Sequence, residues 1–189
     1  MPRSVKFSQK EILDAAYELV RREGGGALSA RSLASVLGVS TAPIFTAFES
    51  IGALTDAVTA RAKECYNTYI AEGLCDPLPF KGAGRAHIRF AKEEPMLFRF
   101  LFIDRESENQ LPTHYLPASN DNEALVRGTV ESYGFDTNDA KHIYNHLSVY
   151  VHGLAMLYAF GHFVFDDGDV DAMLSEVFLA LKDREETKK

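Results

Sequence analysis

Three helix starts, each announced by a serine and stopped by glycine or followed by a turn, are packed between Ser8 and Phe48, and this punctuation constrains the fold more than any other feature. The first start is the clearest. Ser8 is followed three residues later by Glu11, a capping box in which each side chain takes the other residue's amide, with Phe7 and Ile12 placed to staple the entry. Ile12, Leu13, Ala16, Leu19 and Val20 then recur on one face at helical spacing. Gly24-Gly25-Gly26 stops this helix, and Ser29 opens another with Leu28 and Leu33 as staple. That second helix ends at Leu37-Gly38, because glycine enters the left-handed conformation without the steric cost other residues bear. Ser40 reads as the cap of a third helix running to about Phe48, with Val39 and Ile44 as staple.

Helix, glycine turn, helix, with an earlier helix to pack behind the pair, is the arrangement of a three-helix helix-turn-helix unit. From Ile51 to about Gly73 the pattern continues as one long helix, with Leu54, Val58, Ala62, Cys65 and Tyr69 on one side, until Asp76-Pro77-Leu78-Pro79 breaks it. Further helices are expected at 81–94, from Pro95 through the apolar Met96–Phe102, and at 122–133, 138–163 and 169–183. A polar loop is expected at 104–121. No strand-like alternation of comparable length occurs. The expected fold class is therefore all-α: an N-terminal helix-turn-helix domain, residues 1–50, joined by a long helix to a C-terminal helical bundle, residues 51–189.

Among 189 residues there are only Cys65 and Cys75, with no clustered metal-ligand spacing, so neither a disulfide framework nor a structural zinc site is indicated and a reducing, cytoplasmic setting is expected. Arg3, Lys6, Lys10 and Glu11 interrupt any signal-peptide pattern at the N-terminus. Ile143–Phe165 lacks Asp, Glu, Lys and Arg, but its histidines, Asn145, Ser148 and two glycines favour a helix buried between protein surfaces over a membrane span. The net charge of -7 argues against a polyanionic partner for the chain as a whole. The charge is uneven, however: residues 1–55 hold six basic and five acidic side chains, which leaves the surplus of acid to the rest and assigns any nucleic-acid site to the N-terminal end.

The sequence Ser29-Ala30-Arg31-Ser32-Leu33-Ala34, then Leu37-Gly38-Val39-Ser40, then Ile44-Phe45-Thr46-Ala47-Phe48 and Ala53-Leu54, resembles the N-terminal domain of the tetracycline-repressor (TetR) family over roughly residues 8 to 58. Tyr150-Val151-His152-Gly153-Leu154, with the Met96–Phe102 segment before it, is similar to the WHG-like ligand-binding domains in one branch of that family. The resemblance implies a ligand-responsive transcriptional regulator, by default a repressor. It would bind double-stranded operator DNA as a homodimer, respond to a small and largely apolar effector, and need no cofactor or membrane.

On this reading Ser40, Thr41, Ala42, Phe45 and Thr46 face the major groove, while Ile44, Ala47 and Phe48 face the domain core. The chain departs from the family pattern twice: Phe45 stands where tyrosine is common, and Ile51 where a lysine usually grips a phosphate. With no basic residue on the recognition helix, phosphate contacts fall to Ser29, Arg31, the arm of Arg3, Lys6 and Lys10, and helix N-terminal amides, so modest affinity and a shallow salt dependence are expected. The aromatic-rich C-terminal region suggests a mostly apolar pocket, with Phe90, Phe98, Phe102, His146, Tyr150 and Met156 as candidate lining, although such stripes also serve as plain core.

Other readings of the same residues stay open. The N-terminal helices could be a packing unit with no DNA role. A helical small-molecule-binding protein that has lost operator binding would account for Phe45, Ile51 and the uncharged recognition helix. His142 and His146 share a helix face, with His152 beyond them, which raises a metal site or an acid-base pair; a hydrogen-bonded or interface role is favoured. No HExxH, paired-carboxylate helix or nucleophile elbow accompanies them, so an enzyme is not expected.

Overall fold

Every regular element among the described residues is helical, and the reasons are local. The computed structural model describes residues 7–104, 127, 133–162 and 165–187. In chain order these hold α1 (Gln9–Glu23), a single 3-10 turn (Gly25–Ala27), α2 (Ala30–Leu37), α3 (Ala42–Ala47), α4 (Ile51–Gly73), α5 (Pro79–Glu93), α6 (Pro95–Phe102), α7 (Thr137–Ala159) and α8 (Asp167–Thr187). The expected loop at 104–121 and helix at 122–133, with Arg3 and Lys6, lie almost wholly outside the described residues. No described helix is long and apolar enough to cross a membrane.

The chain divides into two compact units, one formed by residues up to Cys65 with those following Met96, the other by Tyr66–Pro95 with the C-terminal part. In the first unit α1 begins with the expected capping box: the Glu11 amide donates to Ser8 Oγ at 3.2 Å and the Ser8 amide to Glu11 Oε2 at 2.7 Å. Ser29 caps α2 by accepting from the Ser32 amide at 3.1 Å, and Gly38 closes it in the left-handed conformation, φ 66°. α1 packs against α2, α3 and the 3-10 turn. Ile12, Val20, Leu33, Ile44, Leu54, Val58, Leu97 and Phe98 are all fully buried.

The α6 helix closes this unit over the glycine turn. A Cβ on Gly25 would fall 2.6 Å from the Phe100 ring, and one on Gly24, whose φ is 85°, would sit 3.6 Å from Met96 Sδ. The glycines that stop α1 thus also leave room for α6.

One cap differs from expectation. Ser40 does not start the third helix; Thr41 is the N-cap, already helical at φ -72° and ψ -15°, and its side chain makes no capping bond. The cause is Pro43. Had Ser40 been the cap, Pro43 would occupy the third helical position, whose amide the serine oxygen must take, and proline has none to give. The helix instead enters through backbone bonds from Ile44 and Phe45 to the Thr41 carbonyl.

In the second unit α5 packs against α7 and, less extensively, α8, while α7 also packs against α8. α5 presents Gly82, Ala83, Gly84 and Ala86 as buried positions, a small-residue surface that admits close helix approach. Ala83, Phe135, Ala140, Ile143, Tyr144 and Leu147 form its core, flanked by Phe80, Tyr133, Val177, Phe178 and Leu181. Asp136 caps α7 through the amides of Asn138 and Asp139 at 2.8 and 2.9 Å. α7 ends at Ala159, short of the expected 163, because Gly161 turns left-handed at φ 67° and the His162 amide bonds back to the Leu157 carbonyl. α8 starts at Asp167, ahead of the expected 169, since Asp166 takes the Asp169 amide at 2.8 Å.

Candidate functional site

The α2–Gly38–α3 segment separates its side chains cleanly by face. Ile44 and Phe48 are buried, Ala47 is half-buried, and Ser40, Thr41, Ala42, Phe45 and Thr46 are exposed. Half of the Phe45 ring surface is open to solvent, which is unusual for so large an apolar group and leaves the ring free to make contacts outside the fold. Arg31 and Lys10 are exposed as well. Two hydroxyls are partly committed: Thr46 Oγ1 donates to the Ala42 carbonyl at 2.9 Å, so it can only accept from a ligand, and half-buried Ser29 Oγ is occupied by its own helix cap and by Ser32 Oγ at 2.8 Å. The expected phosphate contact at Ser29 therefore competes with α2 capping.

Two of the cavities in the second unit are lined by described residues alone. The larger of these, about 520 Å³, has charged side chains in its lining: Arg85, Arg89 and Lys92 are each ion-paired, Arg85 to Asp76 and Asp171, Arg89 to Glu72, and Lys92 to Asp167 at 3.1 Å. Arg85 grips both oxygens of Asp171, and that bidentate bond holds the Asp171 carboxyl below its usual range. The smaller cavity, about 270 Å³, lies among α5, α7 and α8 and is lined by apolar side chains such as Phe80, Val151, Leu174 and Phe178, together with Lys81, Ser175 and Tyr133.

Between α4, α5 and α7 runs a buried polar chain. Tyr66 Oη lies 2.9 Å from His87 Nδ1, and His87 Nε2 lies 3.2 Å from His152 Nδ1. If the tyrosine donates, His87 carries its proton on Nε2 and passes a hydrogen bond to His152; the opposite tautomer reverses both bonds. Burial, and then the neighbouring His152, push His87 down to about 3, and burial pushes His152 down to about 4, so both rings are neutral near pH 7.

The family model for the tetracyclin repressor-like C-terminal domain matches residues 80–181, more than half of the chain. The chain belongs to the tetracycline-repressor family of transcriptional regulators. It is 26% identical over 190 residues to an uncharacterized HTH-type transcriptional regulator of Mycobacterium tuberculosis, an alignment that spans 95% of this chain and 82% of that protein. Its fold resembles the crystal structure of a TetR-like transcriptional regulator from Rhodococcus sp. RHA1, with a TM-score of 0.66, 20% identity and 100% of both chains covered.

Within this TetR-family fold the six side chains expected to line one pocket are dispersed. Phe98 and Phe102 belong to the first unit, where their rings pack 5.0 Å apart. Phe90 is fully buried in the second unit against Tyr66 and Tyr69. Tyr150 is half-buried, and His146 and Met156 are exposed. None of the six lines either cavity. Helical spacing marked all of them as apolar or aromatic but does not reveal which face of a buried helix borders empty space.

His142 and His146 do share a face, with ring centroids 4.3 Å apart, and His142 Nε2 lies 3.5 Å from buried Glu185. Among the described residues no group of three or more His, Cys, Asp and Glu is arranged to hold a metal ion. The Tyr66–His87–His152 chain was missed by sequence reasoning: His87 carries no local signature, and its partners lie 21 and 65 positions away.

Proposed function

We propose that this TetR-family regulator binds double-stranded operator DNA as a homodimer and changes its affinity when a small, largely apolar effector occupies the second unit. The observation that carries the reading is the helix-turn-helix: Thr41, Ala42, Phe45 and Thr46 are exposed on a helix whose opposite side, Ile44 and Phe48, is buried. Arg31 and Lys10, both exposed, are available to phosphates beside it.

The dimer reading is supported by a stripe on α7. His146, Val149, Gly153, Met156 and Phe160 repeat at alternating spacings of three and four and are all exposed, Val149 by 64%. Nothing lies within 4 Å of the position a Gly153 Cβ would occupy, so a second helix can approach closely there. Leu179 of α8 adds a further exposed apolar side chain. Two such helices from each protomer would form a four-helix bundle and space two reading heads about one DNA turn apart. His146 and Met156 fit this face better than a pocket.

Communication between effector and operator is supported by chain connectivity. The α4 helix is continuous from one unit into the other, and Glu94 alone separates α5 of the second unit from α6 of the first. A ligand that favours one arrangement of these helices shifts operator affinity by its differential binding. The free thiols of Cys65 and Cys75 suit a cytoplasmic regulator.

Selection of bound fragments from random duplex DNA tests the reading. Enrichment of a palindrome, lost in an Arg31→Ala/Thr46→Ala variant, supports it; no enrichment even at low salt overturns it. That second outcome would favour a ligand-binding protein of the same fold without operator binding, a reading motivated by the absence of any basic side chain on α3 and by Ile51.

A further inference from the structure

The 270 Å³ cavity among α5, α7 and α8 is lined mostly by apolar side chains, with Lys81, Ser175 and Tyr133 the lining side chains that carry polar atoms, and Lys81 the one cation among them. Lys81 Nζ donates to Ser175 Oγ at 3.0 Å, and Ser175 in turn donates to the Asp171 carbonyl at 2.7 Å. Among the described residues the ammonium is also ion-paired with the Asp171 carboxylate at 3.6 Å, whose two oxygens both accept from Arg85. An ammonium has three protons to donate, and one is used here within bonding distance.

We infer that this cavity binds an amphipathic monocarboxylate, its tail against Phe80, Val151, Leu174 and Phe178 and its carboxylate on Lys81. The inference deepens the effector reading above and rests on it only for the regulatory consequence. Three features select this class. The walls exclude a polar body, since each buried polar group without a partner would be penalised. Lys81, the one cation in the lining, excludes an alkylammonium and favours an anion over a neutral alcohol. The volume limits size: a cavity of about 150 Å³ admits benzene, so roughly ten carbons fit here. Gly84 helps to keep the space open, because a Cβ there would fall 3.3 Å from Val151 Cγ2 and 3.9 Å from Leu174 Cδ1, and both side chains line the cavity.

Calorimetric titration of the full chain with decanoate, decanol and decylammonium tests the assignment. Decanoate is expected to bind, with decanol weaker and decylammonium weakest. Lys81→Met, which keeps the stem and removes the charge, should weaken decanoate by about 10- to 100-fold while leaving decanol unchanged, and Lys81→Arg should retain the preference for the acid. Equal binding of acid and alcohol, no binding of decanoate, or a Lys81→Met variant with an intact melting curve and unchanged preference would each overturn the inference. Measuring operator affinity with and without decanoate separates the two proposals. Binding of the acid without any effect on DNA sustains the site and sinks the regulatory reading; operator binding by a protein indifferent to decanoate does the reverse.

Discussion

The backbones of Gly73 and Gly82 meet so closely that neither residue can carry a side chain as the helices stand: a Cβ on Gly82 would fall 2.0 Å from the Gly73 carbonyl oxygen, and one on Gly73 would fall 2.5 Å from the Gly82 oxygen. The last residue of α4 is thereby seated on the first turn of α5, and both glycines border the 520 Å³ cavity. Since the obstructing atoms are backbone, relief requires the helices to move apart, with loss of packing on both sides.

Gly82→Ala and Gly73→Ala should therefore each lower stability by about 1–3 kcal/mol despite alanine's better helix propensity. Gly26→Ala serves as the contrast, because a Cβ there meets nothing within 4 Å, and it should be neutral or slightly stabilising. Thermal melts of the three variants check this. If Gly82→Ala melts with the parent, the contact is not a fixed feature of the fold.

The buried histidines make stability depend on pH in a definite direction. His87 and His152 are held neutral, at about 3 and about 4, against 6.5 for the free side chain, so above pH 6.5 neither favours the unfolded state. As pH falls below 6.5 the unfolded chain takes up protons that the folded chain refuses. Stability drops progressively toward pH 4, each ring costing about 2 kcal/mol at pH 5. Urea denaturation between pH 7.5 and 4.5 should show this loss, and His87→Gln should remove about half of it while lowering stability at pH 7.5. A parent protein whose stability is flat across that range would refute the assignment.

Most of the fold was legible because its signals are local. Ser8 with Glu11, Ser29 and Gly38 act within a few residues of their position, and the structure uses each as a cap or stop. The Ser40 cap failed for an equally local reason, the missing amide of Pro43. The outward set on α3 was readable from the spacing of Ile44, Ala47 and Phe48. Pocket residues were not readable: whether Phe90 or Phe80 borders a void depends on how α5 rotates against α7, and an aromatic stripe is compatible with either answer.

The α7 stripe predicts its own disruption. Val149→Lys together with Leu179→Lys places charges on two side chains that are already 64% and 52% exposed, so the isolated protomer should tolerate them. Across a dimer interface the same charges would be buried unpaired. Sedimentation should give a dimer for the parent and a monomer for the double variant, with helical content retained in both. A dimeric variant would direct the search for the interface away from this face.

The uncharged recognition helix leads to a prediction of gain. Ile51 is half-buried at the start of α4, close in sequence to exposed Glu49 and Ser50, at the position where the resemblance leads one to expect a lysine. Ile51→Lys can keep its aliphatic stem in place while the ammonium reaches outward. Each added phosphate contact releases condensed counterions, so the slope of log K against log salt should steepen by about 0.9 per contact, or about 2 for a dimer on two half-sites. Arg31→Ala should make the slope shallower by a similar amount without changing the preferred sequence, whereas Thr46→Ala should alter that preference and leave the slope alone. Fluorescence anisotropy on a selected duplex across several salt concentrations separates the three outcomes. If Ile51→Lys tightens binding without steepening the slope, the new side chain is acting through the fold and not through phosphate, and the placement of α4 against the DNA backbone is overturned.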